Sequence, residues 1–104
     1  MKRVGTFKIE TSFNITDRGI VVLGQIIEGI PKVGSYISID ISGKEETIKI
    51  IGTQNGNPDE NGIVKFGLLL KIDNPLRINH IAENKLKEQV APFFENSQTI
   101  PLLQ

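Results

Sequence analysis

Few side chains in this sequence have the chemistry of a catalytic or metal-binding group. Cysteine is absent, and the one histidine stands at position 80. These counts exclude a thiolate zinc site, a cysteine nucleophile and a cage of several histidines. No serine and acid stand at a recognisable triad spacing from His80, so we interpret it as a surface histidine. The sequence therefore favours a protein that is not an enzyme.

The polar stretch around residue 59 has the residue types of a cation-binding loop. Asp59 and Glu60 stand among three asparagines between residues 55 and 61, and such oxygens can ligate calcium. The D-x-[DN]-x-[DN]-G spacing of a calcium loop is absent, however, and we interpret the stretch as a polar hairpin loop. The phosphate-binding pattern G-x-x-x-x-G-K-[ST] is absent as well, so we expect neither GTP nor another cofactor.

The charge balance is neutral, with 12 Lys and Arg against 12 Asp and Glu. A protein that holds nucleic acid mainly through phosphate charge carries a basic excess instead. The longest apolar runs, such as residues 20–23, fall far short of the roughly 20 residues that cross a bilayer. No apolar stretch of a signal peptide follows the amino terminus. We expect a cytoplasmic protein without a membrane partner.

The residue choice predicts an all-β fold. The 104 residues contain 17 isoleucines and two alanines, and branched side chains favour strands over helices. Apolar and polar residues alternate over 7–11, 37–41 and 64–68, which is the two-residue repeat of a strand. Phe7, Ile9 and Thr11 are predicted to share one face. The aromatic residues are mostly spaced as core residues.

Turn-forming residues separate these segments. Ser42-Gly43-Lys44 predicts a short hairpin, leading to a strand that starts near Thr47. Residues 55–62 predict a longer loop, and Pro31-Lys32 is the expected corner between Gly29 and Gly34. No linker or repeat is visible, so residues 1–104 are predicted to form one domain.

The stretch between residues 74 and 89 breaks the strand pattern. Its apolar residues recur near helical spacing, and Glu83 with Lys87 forms a favourable i,i+4 pair. We predict one inserted helix of about three turns there. Residues 89–94 and 99–103 are the last strand candidates. The apolar end of the tail, residues 94–104, either completes the sheet as an extra strand or docks on a second copy.

A longer motif lies between Phe13 and Gly34. It reads F-x-I-x-x-R-G-x-V-V-x-G-x-I-x-x-G-x-x-K-V-G, with twelve specified positions. This motif resembles the start of domain II of the translational GTPases, the β-barrel domain of elongation factor Tu and its relatives. Residues 62–70 are similar to that family's later G-x-x-V-G-x-x-L strand, and the likeness covers about residues 4–93.

The resemblance implies a small closed antiparallel Greek-key barrel and a binding role. In elongation factor Tu this barrel helps to hold the terminal adenosine of aminoacyl-tRNA. By position, that role falls on Ile15, Arg18 and Val21, and Lys32 is the lysine of the motif. The family completes its pocket with a glutamate from the next hairpin, whereas the corresponding residues here, 51–54, include no acid.

Two functions remain open from the sequence. The first is a non-catalytic module that contacts RNA or a translation-associated protein through Ile15, Arg18, Val21 and Lys32. In that reading Arg18 pairs with a phosphate or stacks on a base. In the other reading Arg18 is a turn residue satisfied by Asp17 or nearby carbonyls. The second function is a protein–protein interaction or structural domain, such as a homodimer, that has lost RNA binding.

Overall fold

The computed structural model describes residues 1–15, 19–72, 86 and 88–96. They form six β-strands: β1 (Lys2–Ile15), β2 (Gly19–Glu28), β3 (Tyr36–Ile41), β4 (Lys44–Pro58), β5 (Val64–Leu70) and β6 (Gln89–Glu95). Neighbouring strands are antiparallel in the order β1-β2-β5-β4-β3-β6, and β6 pairs with β1, so the sheet closes on itself. The predicted all-β class and closed antiparallel sheet are confirmed.

The core fills the inside of this closed sheet. Its fully buried side chains come from all six strands: Phe7, Ile9, Ile20, Val22, Ile37, Ile39, Ile50, Leu68, Leu70 and Phe93. Each such burial is worth about 1.5–3 kcal/mol relative to exposure. Leu86 joins this cluster from outside the strands, and its N–H donates to Ser12 Oγ over 3.4 Å.

A β-bulge in β1 changes which side chains face the core. The register with β2 shifts between Ile9 and Thr11, so an extra residue, Glu10, is inserted into β1. Ser12 then lies opposite the buried Val22, and Phe13 turns away from the core with 46% of its side chain exposed. The prediction that Thr11 shares the face of Phe7 and Ile9 is therefore wrong, and Phe13 is an exception to the prediction that the aromatic residues are mostly core. Simple alternation fails because the bulge adds one residue.

Gly24 lies opposite this bulge, where the backbones of β1 and β2 approach closely. A Cβ at Gly24 would lie 1.7 Å from the carbonyl oxygen of Lys8. Only glycine fits this approach. The glycine and the bulge therefore belong to one local structure that re-aims the end of β1.

The predicted short hairpin at Ser42-Gly43-Lys44 is confirmed, and its turn has two residues. Ser42 (φ 54°) and Gly43 (φ 88°) both adopt positive φ, which is typical of a type I′ turn. The expected start of β4 near Thr47 is wrong, since β4 begins at Lys44 directly after the turn. The tight turn lets pairing start at once, with Lys44 opposite Ile41.

The corner between β2 and β3 lies later than predicted. Ser35 N–H donates to the carbonyl of Lys32 over 3.0 Å, and Gly34 has φ 96°. This makes Val33 and Gly34 the centre of a type II turn, because the third residue of that turn requires positive φ. The prediction of a corner at Pro31-Lys32 is wrong for that reason.

The β4–β5 loop is shorter than predicted. Residues 55–58 belong to β4, where Asn55 pairs with Phe66 and Pro58 with Val64. The remaining loop is closed by Asp59, whose Oδ1 accepts from the N–H groups of Asn61 (2.8 Å) and Ile63 (2.9 Å). A register shift between Asn55 and Pro58 allows a proline there, because Pro cannot donate to a regular ladder.

Several predictions fall on residues outside those described. The inserted helix over 74–89 is one, apart from Leu86 and Glu88, which are described and not helical, and Gln89, which opens β6. The extra strand at 99–103 and the tail beyond Asn96 are others, as is Arg18. Within the described part of the chain, no helix has the length and apolar character needed to cross a membrane.

Candidate functional site

A groove of about 550 Å³ lies on the outer face of four neighbouring strands, β1, β2, β5 and β4. We call it the outer groove. It is lined by Phe13, Ile15, Val21, Leu23, Gly52, Thr53, Gln54, Gly56, Lys65, Gly67 and Leu69. Val21 is only 9% exposed and yet lies outside the core cluster, so this face shields an apolar residue of its own.

Strand register explains why these apolar side chains meet. Phe13 pairs with Val21, and Val21 pairs with Leu69, which lies opposite Gly52. One row of neighbours therefore crosses all four strands on the same face. Directly paired side chains in an antiparallel sheet are close enough to pack against each other. Because the β1 bulge turns Phe13 outward, it supplies one end of the row.

Two glycines form the floor of the outer groove. A Cβ at Gly52 would lie 3.3 Å from Leu69 Cβ, and one at Gly67 would lie 3.3 Å from Leu23 Cδ2. A second register shift, between Ile50 and Gly52, places Gly52 opposite the outward Leu69. The groove exists because these two positions carry no side chain between the leucines.

The charge at the groove edge is compensated. Among the described residues that line the groove, Lys65 is the one that is ionisable, and its Nζ forms an ion pair with Glu10 Oε1. Gln25 Nε2 donates to Glu10 Oε2 over 2.7 Å. The hydrogen bond from Lys65, followed by that from Gln25, lowers the pKa of Glu10 below its ordinary value. Glu10 therefore stays ionised and neutralises the lysine at neutral pH.

Two of the four predicted site residues lie together in the outer groove. Ile15 and Val21 both line it, as do residues 52–54 of β4. Lys32 is not among the lining residues; it is exposed in the connection between β2 and β3. Arg18 falls outside the described residues.

The sequence prediction missed most of the outer groove. Phe13 and Leu23 belong to the quoted motif, but only the bulge and the strand register reveal that they face outward. Gly67 and Leu69 lie in the family-like segment 62–70. The available signal was Gly24, whose tight approach marks the bulge, but the sequence does not say which partner residue is inserted.

A second recess, of about 660 Å³, lies beside the β4–β5 hairpin. Its lining includes Ile26, Asn55, Ile63, Val64 and Phe66, and it shares Gly56 with the outer groove. Phe66 and Ile26 also pack against the core, so one wall of this recess is continuous with the core.

The described residues bring together no metal-ligand cluster of three or more His, Cys, Asp or Glu. The carboxylate of Asp59, which has the residue type of a calcium ligand, accepts hydrogen bonds from backbone N–H groups. The hydrogen bond from the Ile63 N–H, followed by the one from Asn61, lowers the pKa of Asp59 below its ordinary value. Its role in the described part of the loop is to close the hairpin.

Comparison of the chain with known protein families, curated proteins and solved structures finds no match.

Proposed function

We propose that this protein is a non-catalytic binding module that resembles translation-factor domain II and contacts the translation machinery through the outer groove. The observation that carries the proposal is the meeting of Ile15, Val21 and residues 52–54 around one groove. The motif carries the family's binding role onto Ile15 and Val21, and residues 52–54 belong to the stretch in which this sequence lacks the family's glutamate. The partner is RNA or a ribosome-associated protein in the cytoplasm.

The proposal includes a Greek-key arrangement with a helix inserted between β5 and β6. Its support is the order of strands: β3, β4 and β5 are consecutive neighbours, and β6 returns to lie beside β3. That return is the Greek-key pattern. The spacing of apolar residues between 74 and 89 supports the helix.

A second candidate function is protein–protein association, including a homodimer, without RNA binding. It is favoured by three exposed apolar side chains at the end of β2 and in the following connection. These are Ile27 (57% exposed), Ile30 (69%) and Val33 (62%). Exposed apolar side chains that cluster are typical of interaction surfaces.

The test is affinity capture from the native lysate with a matched pair of variants. Phe13→Ser removes a groove side chain, whereas Val90→Ser removes an exposed apolar side chain of β6 outside the groove. We expect ribosomal RNA or translation proteins with the wild type and Val90→Ser, and their loss with Phe13→Ser. Equal capture by both variants would exclude the outer groove as the binding surface.

RNase treatment and salt separate the two partner classes. Capture that is lost after RNase treatment and weakens steeply with salt identifies RNA, because phosphate contacts release counterions. In that case Arg18→Ala should weaken capture. Partners that survive RNase, together with a mass above one chain in light scattering, favour the second candidate.

A further inference from the structure

We infer that the group the outer groove accepts is an uncharged apolar side chain, aliphatic or aromatic, presented by a protein partner. This inference rests on the proposed function and specifies its ligand. It concerns the chemistry of the groove alone and leaves the identity of the partner protein to experiment.

Charge complementarity is the first argument. A phosphate-bearing ligand requires a cation that is free to pair with it. The one ionisable residue in the described lining, Lys65, is engaged by Glu10, and Gln25 holds the other carboxylate oxygen. A phosphate drawn to Lys65 would lie beside the Glu10 carboxylate, whose negative charge repels it. The described lining therefore disfavours phosphate and favours a neutral group.

The shape of the floor is the second argument. Leu69 and Leu23 lie close over Gly52 and Gly67, at 3.3 Å from where a Cβ would stand, so the absence of a side chain at either glycine leaves the gap of the groove between and beside these leucines. An apolar group in this gap would contact Leu23, Leu69 and Val21 and would remove their surface from water. Glycine weakens a strand interior and often marks close approach of a ligand. Two outward glycines facing this gap fit such a role.

The rim supplies the third argument. Thr53 and Gln54 are exposed at the edge of the groove on β4. Their hydroxyl and amide groups can both donate and accept hydrogen bonds. Neutral groups of this kind match the amides that flank a side chain on a polypeptide. The floor and the rim together fit a side chain and its adjoining backbone.

The test is titration of the ¹⁵N-labelled protein, followed by amide chemical shifts. The probes are N-acetyl-phenylalaninamide and N-acetyl-leucinamide, with adenosine monophosphate and inorganic phosphate as the anionic counterparts. We expect the two amides to shift the signals of Gly52, Gln54, Gly67 and Leu69, and the anions to leave them unchanged. Gly67→Val, which fills the gap, should weaken the amides at least about tenfold. Val90→Leu, outside the groove, should leave them unchanged.

Each result decides the inference separately from the proposed function. Shifts at the groove with adenosine monophosphate but not with the amides would overturn the inference and leave RNA binding by the module standing. No shift with any probe would also overturn it, and the Phe13→Ser capture would then judge the proposed function alone. If Gly67→Val does not fold, Gly67→Ala replaces it; unchanged affinity for the amides in a folded filling variant would also overturn the inference.

Discussion

Glu10 is the inserted residue of the β1 bulge and also the acid that pairs with Lys65 of the outer groove. Inserted into β1, its carboxylate receives Lys65 from β5 and Gln25 from β2. The bulge therefore turns Phe13 outward and also positions the acid that neutralises the groove's lysine. One inserted residue accounts for both the apolar and the uncharged character of the outer groove.

The lowered pKa of Glu10 predicts a pH-dependent contribution to stability. Because its folded pKa lies below its unfolded pKa, the stabilisation is present above the ordinary glutamate range and is lost as the pH falls through the folded value. The side chains of Lys65 and Glu10 are 42% and 21% exposed, so solvent screening limits the pair to about 0.5 kcal/mol. In urea denaturation near neutral pH, Glu10→Gln should be less stable than the wild type by this amount.

The difference in unfolding free energy between the wild type and Glu10→Gln should shrink as the pH is lowered through and below the ordinary glutamate range. It should also shrink with added salt at neutral pH. Gln25→Ala provides a control that removes the neutral partner and leaves the ion pair. A difference between wild type and Glu10→Gln that stays constant at low pH would contradict an electrostatic origin.

Substitution by alanine should change the free energy of unfolding strongly at Gly24 and little at Gly67. Gly24→Ala would place Cβ 1.7 Å from the carbonyl oxygen of Lys8, so the β1–β2 backbone must move. We expect a loss of about 2–3 kcal/mol, measured by urea denaturation. In Gly67→Ala the nearest atom is a leucine methyl at 3.3 Å, which can move by a small rotation. We expect a change within about 0.5 kcal/mol there.

Similar losses of unfolding free energy in Gly24→Ala and Gly67→Ala would contradict the view that Gly24 is needed for the backbone and Gly67 for the groove. If Gly67→Ala were as damaging as Gly24→Ala, Gly67 would be a structural glycine. The argument that its missing side chain serves a ligand would then lose its basis.

At the scale of the elements, the β3–β4 turn offers a stabilising substitution. Ser42 has φ 54°, a left-handed conformation that asparagine adopts more readily than serine. Asn-Gly is a preferred pair for a type I′ turn, so Ser42→Asn should stabilise the protein by about 0.5 kcal/mol. Thermal or urea denaturation measures it. Ser42→Val is the opposing control, because a branched side chain is strained at positive φ; stabilisation by valine would contradict the turn assignment.

The elements were predictable wherever the local signal was strong. Alternation located β3 and β5, and Ser42-Gly43-Lys44 located the hairpin between β3 and β4. The two register shifts that shape the outer groove were not predictable, because an inserted residue changes the facing of all later side chains while leaving the composition unchanged. The outer groove depends on both shifts, at Glu10 and beside Gly52. The motif therefore indicated Ile15 and Val21, whereas Phe13, Leu23 and the glycine floor required the register.

At the scale of the whole molecule, the closed sheet has one short seam. β3 and β6 pair through only Tyr36 with Phe94 and Ile37 with Phe93, whereas β1 and β2 pair along nearly their whole length. Pro92 in β6 has no N–H to offer a ladder. Beyond these pairs, the side-chain amide of Gln89 continues the contact. Its Oε1 accepts from Asp40 N–H over 2.9 Å, and its Nε2 donates to the Asp40 carbonyl over 3.1 Å.

Gln89 thus takes the place of a strand residue in closing the sheet. Gln89→Ala removes both bonds and should cost about 1–3 kcal/mol. The loss should be local: hydrogen exchange at Asp40 and its neighbours in β3 and β6 should accelerate, while β2 and β5 exchange as in the wild type. Gln25→Ala removes a glutamine that bonds only a side chain, and it should leave exchange at the seam unchanged. If Gln89→Ala leaves that exchange unchanged too, the buried Ile37 and Phe93 alone hold the seam, and the sheet closes through its core rather than through hydrogen bonds.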